Sequence, residues 1–198
     1  LDTDTWEFNL KTGYVDPEIP YRSIGFQSAI SHHKQTAYFG NKNYNVSYSS
    51  FFHHLVYQSI LSNTLHKFKI GLQHMVDVYD ETILSTQITR SETNLGAFFE
   101  YNYDGIAGFN AIIGARVDHH NVMGTFVTPR VHLRHAFFDD KSVLRISAGA
   151  GRRIASIFAE NQKFLGSQRK LFLAQPTEPM YGLLPERAWN YGLSWIQK

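Results

Sequence analysis

The segment from Phe109 to Asp118, FNAIIGARVD, shows the pattern on which the fold class rests. Every second residue from Phe109 is apolar, and the positions between them include Arg116 and Asp118. Successive side chains of a β-strand point to opposite faces of a sheet, so this period of two predicts a strand with one apolar and one polar face. An all-β protein is therefore expected. The same alternation recurs in residues 67–77, 94–103, 130–137 and 143–150.

The repeated alternation predicts nine strands of unusual length. Most have about 10 or more residues, whereas strands of globular proteins usually have about 5–6. A strand that crosses a bilayer at a tilt of about 45° needs about 9–11 residues. The lengths predict an antiparallel transmembrane β-barrel, with residues 1–198 as one partial barrel domain. The predicted strands are 3–12, 21–31, 44–61, 64–78, 93–103, 106–119, 125–138, 142–151 and 187–198.

The connections between these strands alternate between short and long. Asp104-Gly105 is a hairpin-turn signal, and 139–141 is also short, whereas 152–186 is very long. Bacterial barrels have short periplasmic turns and longer extracellular loops. Asp104-Gly105 and 139–141 are therefore expected to face the periplasm. The expected outer loops are 32–43, 79–92, 120–124 and 152–186.

The composition supports a surface that faces something other than water. Charged residues make up 18% of the chain, below the roughly 25% of ordinary soluble domains, and aromatic residues make up 15%. The 19 basic and 17 acidic residues are scattered, so no nucleic-acid partner is expected. The lack of cysteine excludes disulfides and cysteine-based metal sites. Because the N-terminus is neither a methionine nor a signal peptide, the chain is expected to be an internal piece.

Three adjacent histidine pairs invite the idea of a metal site. They are His32-His33, His53-His54 and His119-His120. Neighbours on a regular strand point to opposite faces and cannot chelate one ion, so neither a metal nor another cofactor is expected. At the loop edge, Asp118 and His120 share a face and could bind a ligand jointly.

The remaining motifs do not predict an enzyme. The run from Ser147 to Ile154 resembles a nucleotide-binding glycine loop but lacks the third glycine and the βαβ context, so its small residues are expected to relieve crowding at a barrel rim. No nucleophile-elbow motif is present. We therefore expect no catalytic residues.

The polar faces of consecutive predicted strands carry a set of charged and amide side chains. Lipid cannot accept them, because Arg or Lys at the bilayer midplane costs about 2–4 kcal/mol on the lipid face. They are expected to line the lumen, where they could pair with each other, meet a plug domain or touch a solute. The set is Glu100, Asn110, Arg116, Asp118, Arg130, His132, Arg134 and Arg145. The candidate ligand-binding residues are Arg116, Asp118, His120, Arg130, Arg134 and Arg145 in the lumen, with Phe158, Arg169 and Tyr181 in the long loop.

Several motifs in the second half of the chain together resemble a known family. They are GARVD at 114–118, TPRVHL at 128–133, VLRISAGAGRR at 143–153, IFAEN at 157–161 and PERAWNYG at 185–192. Their order and spacing resemble TonB-dependent outer-membrane receptors of the Bacteroidetes type, most closely over residues 106–198.

The resemblance implies a larger assembly than these residues contain. Such receptors have a 22-stranded barrel and an N-terminal plug, sit in the outer-membrane lipid of Gram-negative bacteria, and take up siderophores, haem, cobalamin or glycans. Energy reaches them through TonB, which contacts a segment before the plug. Nine strands would leave two unpaired edges, which hydrocarbon does not tolerate, so the resemblance implies further strands. The sequence does not indicate which nutrient is carried.

Two other interpretations stay open. The chain could belong to a smaller outer-membrane barrel with a structural or adhesive role. It could also be a soluble β-sandwich or a lipocalin-like binding protein. A charge-poor polar face and aromatic residues near strand ends, such as Phe137-Phe138 and Trp189, count against a soluble protein.

Overall fold

The computed structural model describes residues 1–40, 42–105, 108–137, 141–155, 157–167 and 182–197. These residues form nine strands in one antiparallel sheet, in which each strand pairs with its neighbours in sequence. The nine predicted strands of a partial antiparallel barrel are thereby confirmed. The strands are β1 (Asp2–Val15), β2 (Ser23–Phe39), β3 (Lys42–Leu61), β4 (Asn63–Ile83), β5 (Thr86–Asp104), β6 (Phe109–His120), β7 (Gly124–Phe137), β8 (Ser142–Arg153) and β9 (Glu186–Gln197). Two short helices, α1 (Ile157–Glu160) and α2 (Gln162–Leu165), lie between β8 and β9.

Two of the predicted outer loops are wrong. Residues 32–43 and 79–92 belong mostly to strands, because the β2–β3 ladder continues to the pair of Phe39 with Lys42. The β4–β5 ladder likewise continues to the pair of Ile83 with Thr86. Backbone hydrogen bonds between strands hold these extensions, and such bonds need no alternation of apolar side chains.

The strand connections define two ends of the sheet. One end, here called the loop end, carries the connections 40–41, 84–85, 121–123 and 154–185. Tight turns close two of these hairpins, with left-handed φ angles of 62° at Gly40 and 55° at Leu84. The other end, the turn end, carries 16–22, Ser62, 105–108 and 138–141.

The two faces of the sheet differ sharply in chemistry. On the apolar face, large hydrophobic side chains are exposed: Leu72 is 54% exposed and Leu95 56%. A soluble protein would bury such a continuous apolar band, whereas a transmembrane barrel presents it to lipid. This apolar belt comprises Phe51, Leu55, Ile70, Leu72, Leu95, Phe99, Ile113, Val117, Val127 and Ile146.

Aromatic rings form a row along the turn-end border of the apolar belt. The rings of His66 and Tyr103 have centroids 5.1 Å apart, and those of His135 and Phe137 are 4.1 Å apart. Phe109 links the two pairs, with its ring 6.3 Å from Tyr103 and 5.9 Å from His135. Aromatic girdles of this kind sit at the boundary between hydrocarbon and headgroups.

The two helices pack against the polar face at the loop end. Phe158 of α1 and Leu165 of α2 are each 3% exposed and join a buried cluster with Tyr44, Ile83 and Ile88. We call these five residues the cap. Neither helix in the described part of the chain has the length or apolarity needed to cross a membrane.

Candidate functional site: the polar face of the sheet

Four carboxylates are buried on the polar face near the loop end. Asp77 and Glu81 come from β4, Glu92 from β5 and Asp118 from β6, and each is 9% exposed or less. Burying a charge is costly unless it is paired and hydrogen-bonded, so the partners of these groups determine whether the face is stable. We call these four residues the acidic network.

Two tyrosines and an arginine contact the three carboxylates of the acidic network that lie nearest the loop end. The Tyr44 hydroxyl donates to Glu81 Oε1 at 2.8 Å, and the Tyr48 hydroxyl donates to Asp77 Oδ1 at 2.9 Å. Arg90 Nε lies 3.2 Å from Glu92 Oε1, and its guanidinium also lies 4.0 Å from the centroid of the Tyr79 ring. Tyrosines of β3 thus hold Glu81 and Asp77 of β4, whereas Glu92 is paired with Arg90 of its own strand, β5.

Arg116 binds the fourth carboxylate of the acidic network, Asp118. Its Nε and Nη2 donate to Asp118 at 2.6–2.9 Å, and its Nη1 donates to Gln73 Oε1 at 3.0 Å. Asn94 Nδ2 donates to Asp118 Oδ1 at 2.8 Å. These bonds connect β4, β5 and β6, so the predicted candidates Arg116 and Asp118 do meet, and they stabilise the wall of the sheet.

His120 lies at the end of β6 and shapes the β6–β7 turn. Its Nδ1 accepts a hydrogen bond from the backbone N–H of Val122 at 3.1 Å. Its Nε2 lies 3.9 Å from Glu92 Oε2, and the residue is 3% exposed. His120 therefore faces Glu92 and the turn. The neighbouring His119 lies on the opposite face, as the alternation predicts, and contacts Thr125 Oγ1 at 2.9 Å.

Burial shifts the titration of two groups that lie beyond the apolar belt. It raises the pKa of Glu92, and the nearby carboxylates of Asp77 and Glu81 add to that effect while Arg90 opposes it. Burial also lowers the pKa of His120, with Asp77 acting in the opposite direction. Both groups favour their neutral forms more than they would in water.

Basic residues predominate on the polar face at the turn end. Glu100 accepts a hydrogen bond from Arg130 and forms an ion pair with Lys69, whose Nζ lies 3.3 Å from Glu100 Oε1. Asp104 faces Lys67 at 3.7 Å. Arg130, a predicted ligand candidate, is therefore paired within the sheet, although its side chain is 52% exposed.

Arg134 and Arg145 lie directly opposite each other on β7 and β8. Arg134 Nη1 donates to Asn110 Oδ1 at 3.1 Å. The sheet thus brings six predicted candidates onto one face, with Arg116, Asp118 and His120 nearer the loop end and Arg130, Arg134 and Arg145 nearer the turn end. Their roles in binding a ligand stay predictions.

The structure describes only one of the three candidate residues in the long loop. Phe158 is buried in the cap, so in this arrangement it anchors the loop to the sheet and offers little surface to a ligand. Arg169 and Tyr181 lie outside the described residues. Lys42 Nζ donates to the Ser167 carbonyl at 2.5 Å, which ties the end of the described loop segment to β3.

Sequence reasoning missed part of the polar wall. Glu81, Arg90 and Glu92 fell inside the predicted loop 79–92, although Asp77, Tyr79 and Glu81 alternate as strand residues on one face do. The described residues include no group of three or more His, Cys, Asp or Glu side chains arranged to hold a metal ion.

A family model matches residues 1–196 of the chain. Its description is "TonB dependent receptor-like, beta-barrel". None of the curated proteins compared matches the sequence.

Three solved structures are similar to the chain in fold. A structure described as copper transporter OprC has a TM-score of 0.62 at 12% identity and covers 77% of this chain and 30% of its own. The siderophore receptor PirA from Acinetobacter baumannii has a TM-score of 0.55 at 12% identity, with coverages of 90% and 33%. A variant of the ferric enterobactin receptor PfeA from Pseudomonas aeruginosa has a TM-score of 0.50 at 13% identity, with coverages of 70% and 26%. The chain spans between about a quarter and a third of the length of each.

Proposed function

The chain belongs to the TonB-dependent receptor-like β-barrel family, and on that premise we propose that the whole protein takes up a nutrient across the outer membrane with energy supplied through TonB. The chain is part of a β-barrel in the outer membrane of a Gram-negative bacterium. One observation carries the proposal: a wall of paired charges on one face and an exposed apolar belt on the other, within a family match over residues 1–196. The solved proteins of similar fold are also transport receptors.

The orientation of the barrel in the membrane follows from the two ends of the sheet. Bacterial barrels have long extracellular loops, and the longest connection, 154–185, lies at the loop end, so we place the loop end outside and the turn end in the periplasm. The aromatic girdle near the turn end then lies at the periplasmic boundary of the hydrocarbon. Outer-membrane lipid surrounds the apolar belt, and the paired polar face lines the lumen.

The nutrient would first meet the outer part of the barrel. The connection 154–185 is the longest at that end, and we propose that Arg169 and Tyr181 in it contact the ligand. A siderophore, haem, cobalamin or a glycan is the substrate class that the family resemblance implies. TonB would act on a plug domain, and the barrel wall would surround that plug. No catalytic step is part of this proposal.

The test of uptake uses the full-length receptor in its own outer membrane. A strain that depends on the receptor is grown on ferric siderophores, haem, cyanocobalamin or oligosaccharides as the limiting nutrient. We expect growth on one class to require both the receptor and TonB. Growth on every class without the receptor, or without TonB, would contradict the proposal and favour a structural or adhesive barrel.

The role of the long connection is tested separately. Residues 168–181 are replaced by a Gly-Ser linker of equal length, which leaves Phe158 and Leu165 of the cap in place. We expect loss of growth on the nutrient identified above. The unheated receptor should still migrate as the compact, folded form on SDS gels. A matched replacement at the periplasmic turn 16–22 controls for loop exchange itself. Retained growth in the 168–181 variant would remove this loop from the binding site.

A further inference from the structure

The apolar face carries a trough between β5 and β9. Phe99 of β5 lies opposite Ala115 of β6, which in turn lies opposite Pro129 of β7. Ala148 continues this face on β8, and Trp189 borders it on β9. Because the side chains between the two rings are small, a cavity of about 580 Å³ lies among them on the lipid-facing side of the wall. We call it the belt trough, and the side chains of this face that line it are Phe99, Tyr101, Ile113, Ala115, Pro129, Val131, Ala148 and Trp189.

The lining of the belt trough selects an apolar ligand. Its side chains on this face are all aliphatic or aromatic. The volume falls within the range of about 300–1,000 Å³ that is usual for small-molecule sites. Space left unfilled there would forfeit dispersion contacts along the lining. Since the trough is continuous with the apolar belt, which faces the hydrocarbon of the membrane, acyl chains are the groups at hand to fill it.

A positive charge lies at the loop-end side of the belt trough. Arg187 comes just beyond Trp189 on the same side of β9, opposite Arg152 of β8. It is exposed, and among the residues that the structure describes it makes neither a hydrogen bond nor an ion pair. Glu186, its neighbour in sequence, lies on the other face and pairs with Arg153. An anion beside Arg187 would therefore relieve the repulsion from the like charge across the strand.

The position of Arg187 along β9 fits the border between hydrocarbon and headgroups. Trp195 of the same strand lies opposite Leu144, which lies opposite His135 of the aromatic row at the turn-end border. From Trp195 to Arg187 the strand extends about 26 Å at about 3.3 Å per residue. At a tilt of about 35–45° it rises roughly 19–22 Å, close to the height of about 25 Å of the apolar band. The long arginine side chain can cover the remaining distance to the headgroups.

We propose that the belt trough and Arg187 together bind one phosphorylated lipid of the outer leaflet, with acyl chains in the trough and a headgroup phosphate on Arg187. The inference goes beyond nutrient uptake and rests on the orientation proposed for the barrel, with the loop end outside. A guanidinium presents a planar fork of N–H donors that matches a phosphate in a bidentate geometry. The trough and the arginine thus follow each other along the membrane normal in the same order as the acyl chains and the phosphate of such a lipid.

A second copy of the barrel is a poorer occupant of the trough. In a two-fold dimer the same patch faces itself. The side chains that line the trough include no Asp or Glu among the described residues, so each Arg187 would meet a surface that offers it no negative charge. A lipid phosphate has the sign that Arg187 requires.

Native mass spectrometry of the full-length receptor tests the site. The receptor is purified from outer membranes, stripped of lipid in detergent and titrated with lipid A, which is phosphorylated and carries several acyl chains. We expect one tightly bound lipid per receptor. The double substitution Ala115→Trp and Ala148→Trp fills the trough and should abolish this adduct. Arg187→Gln should weaken it by about tenfold, the effect of losing one charge-assisted hydrogen bond.

Matched variants control for the substitutions themselves. Ala97→Trp adds the same ring to the lipid-facing side of β5 outside the trough and should leave the adduct unchanged. Lys34→Gln removes a charge from the same face of the distant strand β2 and should also have no effect. Compact migration of each unheated variant on SDS gels shows that it is folded.

Removing the phosphates from lipid A separates the role of the headgroup from that of the chains. The unphosphorylated lipid should bind the original receptor about as weakly as lipid A binds the Arg187→Gln variant, and it should bind that variant no more weakly still. Equal binding of both lipids to the original receptor, or unchanged binding to the filled trough, overturns the inference.

Three further outcomes would assign the site to another occupant and reject the proposed one. Displacement of lipid A by inorganic phosphate would indicate a site for free anions. Tighter binding of phosphatidylglycerol than of lipid A would place the trough in the periplasmic leaflet. A receptor dimer that the two tryptophan substitutions dissociate would identify a second copy as the occupant.

Lipid binding is measured without transport, so the two proposals can fail separately. A lipid adduct that depends on Arg187, in a receptor that supports growth on none of the nutrients, would retain the lipid site and reject nutrient uptake. Growth that depends on the receptor and TonB, without such an adduct, would retain uptake and reject the lipid site.

Discussion

The two ends of the polar face hold charge in opposite ways. Near the loop end, four carboxylates are buried and each is paired within the sheet, and the cap covers the outermost part. Near the turn end, basic residues are in excess among the described residues, and Arg145 lacks a partner there. In the first region the buried charges are paired, whereas in the second the paired Arg130 side chain is 52% exposed. The difference teaches that charge pairing near the loop end stabilises the sheet more than pairing near the turn end, because buried pairs are screened less than exposed ones.

The largest effect should come from opening the cap. Phe158→Ala removes a ring that is 3% exposed and lies 5.9 Å from the ring of Tyr44, so the cap should lose about 3–5 kcal/mol. We expect the amides of 157–165 to exchange with deuterium much faster in the full-length receptor. Phe164→Ala on the same segment is the control, because Phe164 is 61% exposed. Equal exchange in the two variants would show that the cap does not hold the loop.

The next effect should come from the centre of the acidic network. Asp118→Ala leaves Arg116 without its bidentate acceptor and Asn94 without its own, which should lower the free energy of unfolding by about 3 kcal/mol. Denaturant unfolding of the detergent-solubilised receptor measures the change. Asp80→Ala is the control, since Asp80 is exposed and holds only Gln87. If the free energy of unfolding falls no more than in the control, the contacts of Asp118 do not stabilise the sheet.

The border of the apolar belt can be located with arginine substitutions. Leu72→Arg places a charge in lipid and should cost about 2–4 kcal/mol, whereas Thr89→Arg, on the same face but beyond the belt, should cost little. The amount of folded receptor in the outer membrane and its unfolding free energy report the difference. Equal losses at both positions would place the extension of β4 and β5 inside the membrane.

The smallest effect should appear in the pH dependence of the acidic network. The folded-state pKa of Glu92 is raised by burial, so its protonated form is favoured, and its contribution to stability is full at low pH and declines as pH rises through the folded pKa. Glu92→Gln should therefore stabilise the receptor slightly at neutral pH, with the advantage vanishing below the ordinary glutamate pKa. Unfolding midpoints measured from about pH 3 to about pH 8 would test this, because that range extends below the ordinary glutamate pKa of about 4.3. A constant difference across that range would contradict it.

The sequence predicts the membrane-embedded parts of the sheet well, for a physical reason. Lipid on one side and a polar lumen on the other force an alternation, as in Phe109 to Asp118, and all nine strands carry enough of it to be recognised. Beyond the belt both faces meet polar surroundings, so the alternation fades. Residues 32–43 and 79–92 were therefore predicted as loops although their ladders continue.

The pairing of charges could not be predicted from the sequence. The alternation places Arg116, Arg130 and Arg145 on one face, but the register of the ladders decides which carboxylate each one reaches. Arg116 binds Asp118 and Arg130 binds Glu100, whereas Arg145 lies opposite Arg134 on β7 and Ser194 on β9. The burial of Phe158 likewise depends on a loop folding back onto β3 and β4, which a local pattern does not encode.

The lengths of β3 and β4 have a consequence for how a solute reaches the barrel. With 20 and 21 residues, the strands are each roughly 65–70 Å long at about 3.3 Å per residue. At a tilt of about 45° they rise roughly 45–50 Å along the membrane normal, about 20 Å more than the apolar band of a bacterial barrel. Most of that excess lies at the loop end, because the aromatic row at the turn-end border includes His66, close to the start of β4 at Asn63. The loop-end share is more than one Debye length at physiological ionic strength, where one is about 8 Å. Counterions therefore screen the hairpin tips from the fixed phosphate charges of the membrane surface, and a charged solute arriving there responds to the protein's own charges.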